Sequence, residues 1–215
     1  MDRLKDNGVF VRTLSAFVLF SVIALVYIMG NAGFYGLSLL ATLYCLFEIL
    51  KIKRKSANDC LIQLFFVFYV ILSMMCCFYL YLEYGRSILI WSIAIVTFND
   101  TGAFFIGRHF KGKKLFPKIS PNKTWSGFLG GLIVGTVLSF TLLPFLIDQT
   151  NINLSFFACI LLSFSSHLGD LLESAFKRYF DIKDTGTLIP GHGGVLDRLD
   201  SLLMVNIVLY LFLLK

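Results

Sequence analysis

Residues 60–82 read CLIQLFFVFYVILSMMCCFYLYL, an apolar stretch without a single charged side chain. An α-helix rises about 1.5 Å per residue, so this stretch is long enough to cross the roughly 30 Å hydrocarbon core of a bilayer. Because unpaired backbone polar groups are costly in lipid, a helix is the conformation expected there. The stretch therefore predicts a transmembrane helix.

Comparable stretches recur along the whole chain of 215 residues. Its hydrophobic fraction is 57% and its charged fraction 15%, whereas about a quarter of the residues of a soluble domain are charged. The candidate spans are 12–30, 34–50, 60–82, 87–107, 126–147, 154–176 and 196–214. They leave no room for a separate soluble domain. We therefore predict an all-α, polytopic helical bundle of about seven transmembrane helices that forms one membrane domain over residues 1–215.

The basic residues indicate how this bundle is oriented. With alternating loops, 17 of the 19 Lys and Arg residues fall on one side, and only Arg86 and Lys215 fall on the other. The positive-inside rule then predicts a cytoplasmic N-terminus and an external C-terminus. The membrane itself is expected to be the cell inner (plasma) membrane. The first span is expected to be a retained helix rather than a cleaved signal peptide, because Asp2 and Asp6 precede it. A basic surface of this kind suits anionic lipid headgroups, and no nucleic-acid partner is expected.

Acidic residues within the spans are the first candidates for function, because an ionisable group is costly in hydrocarbon. Asp100 interrupts the fourth span within TFNDTGAFFIGRHF, residues 97–110. It is predicted to lie in a polar site, and the alternative is a solvated carboxylate at a helix end.

The sixth span carries a polar stripe in HLGDLLESAFKR, residues 167–178. Its polar residues recur at intervals of three or four and so share one helical face. They are His167, Asp170, Ser174 and Lys177. Such a stripe in an apolar helix predicts the lining of a cavity.

Two of the acids in KDTGTLIPGHGGVLDRLD, residues 183–200, are Asp197 and Asp200, which are three apart. Together with Asp170 they offer the carboxylate oxygens that a hard divalent cation such as Mg²⁺ prefers. The alternative is a set of salt bridges with neighbouring basic residues. In the same segment, Gly193 and Gly194 follow His192 just before a predicted helix N-terminus. Backbone amides there can approach a phosphate closely, although a tight re-entrant turn would need the same glycines.

The loop before the fifth span contains SPNKTWSG, residues 120–127. Thr124 is predicted to cap the helix that follows, and Lys123 to reach a phosphate. The positive-inside rule alone accounts for three further lysines, Lys111, Lys113 and Lys114.

The run SAFKRYFDIKDTGTLIPGHGGVLDRLD, residues 174–200, resembles the signature of bacterial phosphatidate cytidylyltransferases. That signature has Ser-x-apolar-Lys-Arg, then Lys-Asp, His-Gly-Gly and Asp-Arg-apolar-Asp. The segments DTGAFFIGR and SPNKTWSG are similar to the flanking motifs of the family, so the resemblance covers about residues 97–214. Ser126 departs from the family pattern, and residues 1–90 match it in topology alone.

The resemblance implies an Mg²⁺-dependent nucleotidyltransferase, with a second metal ion as a further expectation. Its partners would be CTP and phosphatidic acid in the bilayer, its products CDP-diacylglycerol and diphosphate, and its active site would face the cytoplasm. Residues 91–215 would form the catalytic part, and a homodimer is also expected. The alternatives are a related CTP-using lipid enzyme and a secondary transporter, although no inverted repeat is apparent.

The expected roles of individual residues follow from the signature and the polar stripe together. The metal ligands are expected to be Asp170 and Asp197, with Asp200 assisting. The catalytic residues are expected to be Asp170, Asp197, Lys177 and Lys183. The residues expected to bind substrate are Lys123, Arg178, His192, Gly193, Gly194, Arg198, Ser174 and Asp100.

Overall fold

A computed structural model describes residues 28–54, 56–147, 154–188 and 193–214 of the chain. Its helices are α1 (Ile28–Lys51), α2 (Ala57–Tyr84), α3 (Arg86–Phe110), α4 (Trp125–Leu146), α5 (Phe156–Tyr179) and α6 (Leu196–Leu213). Two short strands, β1 (Lys114–Phe116) and β2 (Ser120–Thr124), lie between α3 and α4. The helical prediction is thereby confirmed, with one small hairpin that the hydropathy pattern did not indicate.

Five of these helices, α1 to α5, are long and apolar enough to cross a membrane. They coincide with the spans predicted from residue 34 to residue 176, which makes the chain a multi-pass membrane protein. The first predicted span lies largely outside the described residues. Helix α6 carries Asp197, Arg198 and Asp200 in its first turns and is not one of the five. The count of seven spans and the orientation of the termini therefore stay predictions.

The chain divides into two compact units. The first consists of Met1–Ile71 and Phe180–Leu199, and the second of Leu72–Tyr179 and Asp200–Lys215. The signature segment is thus divided between them. Each unit is described by itself below.

The second unit contains a buried apolar cluster built from α2 to α6. Trp91 of α3 is a fully buried member of this cluster, and its indole Nε1 donates a hydrogen bond to the backbone oxygen of Ser139 at 2.9 Å. Ser73 of α2 donates to the backbone oxygen of Leu203 in α6, also within this unit, at 2.8 Å. Such bonds pair polar groups that lipid cannot satisfy, so they fix helix positions that apolar packing alone would leave free.

Helix α3 gives way to a hairpin because Lys111 and Gly112 have φ angles of 55° and 103°, which a right-handed helix does not allow. Pro117 directly follows β1, and the amide of Ile119 donates to the oxygen of Phe116 at 3.1 Å, which closes a tight turn. The strands pair antiparallel from Lys114 opposite Thr124 to Phe116 opposite Ser120. β2 ends at Thr124, whose hydroxyl accepts a hydrogen bond from the amide of Gly127 at 3.1 Å. The predicted helix cap is therefore confirmed.

Helix α4 packs so closely on its neighbours that a glycine is required at position 131. A Cβ atom added to Gly131 would lie 2.7 Å from the backbone oxygen of Asn99 in α3 and 2.9 Å from the imidazole of His167 in α5. The first of these atoms belongs to a helix backbone and cannot turn away. The small residue thus sets the spacing of three helices beside the polar stripe.

We expect Gly131→Ala to destabilise the protein by about 1–3 kcal/mol, the usual cost of overpacking. At about 2–4 °C per kcal/mol for a chain of this size, the midpoint of thermal unfolding in detergent should fall by several degrees. The matched control is Gly36→Ala in α1, where nothing lies within 4 Å of the added methyl group. Equal midpoints for the two variants would contradict this account of the packing.

Candidate active site

A cavity of about 890 Å³ lies within the second unit, where α3, the hairpin, α4 and α5 meet. Its wall is unusually charged for a chain this apolar, because the last turns of α3 and the hairpin carry most of the basic residues of this region. The charged lining residues are Asp100, Arg108, Lys111, Lys114, Lys123 and Asp170. Four of the six are cations, so the cavity is suited to an anionic ligand.

A short ionic contact in the wall of this cavity joins β2 to α5. The Lys123 ammonium lies 2.5 Å from Oδ2 of Asp170, and the two side chains are only 23% and 32% exposed. The Ser174 hydroxyl donates to Oδ1 of the same carboxylate at 3.3 Å. The expected proximity of Asp170 and Ser174 on one face is confirmed, and Lys123 faces them from the hairpin.

His167 contributes to the cavity wall one turn before Asp170, and its side chain is held by α4. Its Nε2 lies 3.1 Å from the backbone oxygen of Phe128, and the imidazole packs on the phenyl ring of that residue at 4.6 Å between centroids. The residue is therefore both a packing element and part of the lining.

The last two basic residues of α5 contact other parts of the protein. The Lys177 ammonium lies 2.5 Å from Oε2 of Glu173, which is 2% exposed. Arg178 is exposed, and its Nε donates to the backbone oxygen of Ile119 in the hairpin turn at 3.2 Å. Neither side chain belongs to the wall of the described cavity, so their predicted contacts with phosphate stay predictions.

Asp200, at the start of α6, belongs to the same unit as the cavity. Its carboxylate interacts electrostatically with Asp170, Asp100 and Lys177, and its Oδ1 accepts from the amide of Ser201 at 2.6 Å. Three predicted acids thus lie near one another, two of them in the cavity wall. Among the residues that the structure describes, however, no three Asp, Glu, His or Cys side chains form a metal site by themselves.

The remaining predicted residues belong to the first unit. There, Oδ2 of Asp197 accepts three hydrogen bonds, from the Thr185 amide at 2.9 Å, the Thr185 hydroxyl at 3.1 Å and the Gly194 amide at 2.7 Å. Gly193 has φ 86° and brings its backbone against the same oxygen, a conformation that favours glycine. Lys183 and Arg198 are exposed, and His192 lies outside the described residues.

One buried acid in this unit had no role in the sequence analysis. Glu48 of α1 is 2% exposed, and its carboxylate accepts from the amides of Val195 and Leu196 at 3.0 and 2.9 Å. The Thr185 hydroxyl also lies 3.3 Å from its Oε2. The sequence did contain a signal for this residue, because Glu48 is the one acid in the apolar span 34–50. An ionisable group is costly in hydrocarbon, so Glu48 could have been chosen as a candidate for function.

Comparison with known proteins adds to this geometry. Residues 54–214 match the cytidylyltransferase family. The chain is 36% identical to a phosphatidate cytidylyltransferase of Staphylococcus haemolyticus (strain JCSC1435) over 214 residues, covering 95% of this chain and 82% of that protein. It is 41% identical to the Bacillus subtilis (strain 168) protein of the same name over 145 residues, covering 64% of this chain and 53% of that protein.

Proposed function

The chain belongs to the cytidylyltransferase family, and from this premise we propose that it is a phosphatidate cytidylyltransferase. It transfers the cytidylyl group of CTP to phosphatidate in the bilayer and so supplies CDP-diacylglycerol for phospholipid synthesis. The observation that carries the proposal is the charged cavity around Asp170 in a multi-pass membrane protein.

Both substrates are anions, so the first task of the site is to bring their phosphates together. Lys123, beside Asp170, and the cations at the end of α3 and in the hairpin reduce the repulsion between the two phosphates. A phosphate oxygen of phosphatidate attacks the α-phosphorus of CTP, the bond from that phosphorus to the bridging oxygen breaks, and diphosphate leaves with the electron pair. Phosphoryl transfer of this kind depends mainly on positioning and charge stabilisation, with no covalent intermediate on the protein.

The carboxylates in and beside the cavity of the second unit fit a divalent cation that substrate phosphates help to bind. Asp170 and Asp100 line the cavity, and Asp200 interacts electrostatically with both. Mg²⁺ is commonly held by one or two carboxylates together with nucleotide phosphates, so a site of three protein side chains is not required. Asp170 and Asp200 would hold the ion. The role of Asp197 as a metal ligand stays a prediction from the sequence. When bound, Mg²⁺ would neutralise charge on the phosphates.

The location of the site follows from the nature of the substrates. CTP is water-soluble, and the predicted cytoplasmic side carries most of the basic residues, so the site is proposed to open to the cytoplasm from the inner membrane. Phosphatidate would enter from the bilayer between helices. A homodimer stays a prediction of the family resemblance.

The test is an assay of the purified protein with phosphatidate, labelled CTP and Mg²⁺. We expect CDP-diacylglycerol to form and to require all three components. Its rate of formation should fall at least about tenfold in Asp197→Asn, because a neutral amide oxygen binds Mg²⁺ more weakly than a carboxylate does. Product formed from another lipid phosphate but not from phosphatidate would indicate a related CTP-using enzyme. No product from any lipid, with ion-coupled uptake into proteoliposomes, would indicate a transporter.

A further inference from the structure

Glu48 lies outside the matched family region, which begins at residue 54, yet its carboxylate binds the signature segment within the first unit. It accepts from the amide of Val195, the residue before α6, and from the amide of Leu196, the first residue of α6. These amides point along the helix axis with the partial positive charge of a helix N-terminus, where a carboxylate is favourable. Glu48 therefore caps α6 from a position far away in sequence.

Two glycines show that this arrangement leaves no spare room. A Cβ atom added to Gly186 or to Gly194 would collide with the carboxylate of Glu48. The chain thus passes close to the acid twice, at Gly186 and again at Gly194. Because Glu48 is 2% exposed, water does not compete for its oxygens, and its hydrogen bonds are stronger than on a surface.

Glu48 and Asp197 are joined through one residue. The hydroxyl of Thr185 lies 3.3 Å from Oε2 of Glu48 and 3.1 Å from Oδ2 of Asp197. The Thr185 amide donates to the same Asp197 oxygen at 2.9 Å. A shift of Thr185 would therefore change the orientation of the Asp197 carboxylate, which the sequence analysis assigned to the metal.

We infer that Glu48 is a positioning residue, which holds Thr185 and the backbone of residues 194–196 and thereby orients Asp197 for the transfer reaction. It acts through the segment and touches neither substrate. The part of this inference that concerns catalysis rests on the proposed function, whereas the part that concerns the segment does not.

The test compares Glu48→Gln with wild type by amide hydrogen exchange and by kinetics. A glutamine of the same shape accepts from one amide but presents its NH₂ group to the other, so one backbone donor loses its acceptor. We expect exchange in residues 193–199 to become at least about tenfold faster while exchange in α4 is unchanged. In the same variant kcat should fall at least about tenfold, with KM for CTP and phosphatidate changed less than about threefold.

Two further variants keep the inference testable if Glu48→Gln folds poorly. Glu48→Asp retains the charge and both acceptor oxygens, so it should recover part of the lost kcat and of the lost exchange protection. Glu83→Gln removes an exposed acid near the end of α2 and should change neither readout.

Three outcomes would overturn the inference. The first is that residues 193–199 of Glu48→Gln exchange as slowly as they do in wild type. The second is that exchange in α4 of Glu48→Gln becomes faster by the same factor as exchange in residues 193–199. The third is that kcat of Glu48→Asp is as low as kcat of Glu48→Gln. Hydrogen exchange requires no substrate. If wild type forms no CDP-diacylglycerol, the proposed function fails while the exchange result still decides how Glu48 holds the segment.

Discussion

Replacing Asp170 by asparagine is expected to lower kcat for CDP-diacylglycerol formation by about 1,000-fold, equivalent to about 4 kcal/mol of transition-state stabilisation. The carboxylate pairs with Lys123 at 2.5 Å in the cavity wall, interacts with Asp200, and is the first proposed metal ligand. Asparagine has nearly the same shape but no charge. The substitution thus removes both the ion pair and a metal ligand while it leaves the packing of α5 in place.

Folding should change far less than activity in this variant. The paired side chains are partly exposed, so loss of the ion pair should destabilise the protein by about 1–2 kcal/mol, between the values for surface and buried pairs. Thermal unfolding and kcat are measured on the same preparation. Asp181→Asn is the matched control, since Asp181 is exposed at φ 57°, a backbone conformation that asparagine also adopts. If kcat of Asp170→Asn fell by less than tenfold, Asp170 would not be a metal ligand of the reaction.

The length and hydropathy of the apolar runs predicted the helices well, because such runs have few alternative conformations in a membrane. The runs at 60–82 and 87–107 both correspond to helices with bounds a few residues wider, Ala57–Tyr84 and Arg86–Phe110. Hydropathy did not predict the hairpin after α3. Its strands have three and five residues and alternate weakly in burial, so their pairing depends on the turn at Pro117 more than on hydropathy.

The site was predictable to the extent that its residues lie close in sequence. Asp170 and Ser174 lie one helical turn apart, so helical geometry alone brings them together. Lys123 in the hairpin contacts Asp170 in α5, 47 positions later in the sequence. A periodic pattern within one helix cannot predict a contact between residues so far apart. The same holds for Glu48, which contacts amides almost 150 residues later.

The cations of the cavity show a different limit of sequence reasoning. Lys111 and Lys114 were assigned to the positive-inside rule, which explains why a loop is basic but cannot tell which of its side chains point inward. All of these side chains are exposed, but the structure places Lys111 and Lys114 in the cavity wall with Arg108, whereas Lys118 of the same loop is not part of that wall. Lys118 lies in the turn between β1 and β2, whereas Lys111 and Lys114 lie at the other end of the hairpin, next to α3.

Lys123→Met is expected to lower kcat/KM for CTP by about 100-fold or more, because it removes the cation nearest to Asp170 and leaves that carboxylate to repel the incoming phosphates. The matched control is Lys118→Met in the same hairpin, where the side chain is exposed and the expected change is less than about twofold. Equal losses for the two lysines would show that overall basic charge, rather than the position of Lys123, determines the rate.

Swapping the two residues of the ion pair, Lys123 and Asp170, tests whether the pair acts in catalysis or only in stability. In the double variant Lys123→Asp with Asp170→Lys, an ion pair between β2 and α5 can form again, so the unfolding midpoint should recover toward that of wild type. Activity should stay at least about 100-fold below wild type, because the carboxylate and the ammonium then face the substrates from the wrong sides. If the exchange restored turnover along with stability, Lys123 and Asp170 would merely hold the hairpin on α5, and the catalytic groups would have to be sought among the other charged residues of the cavity.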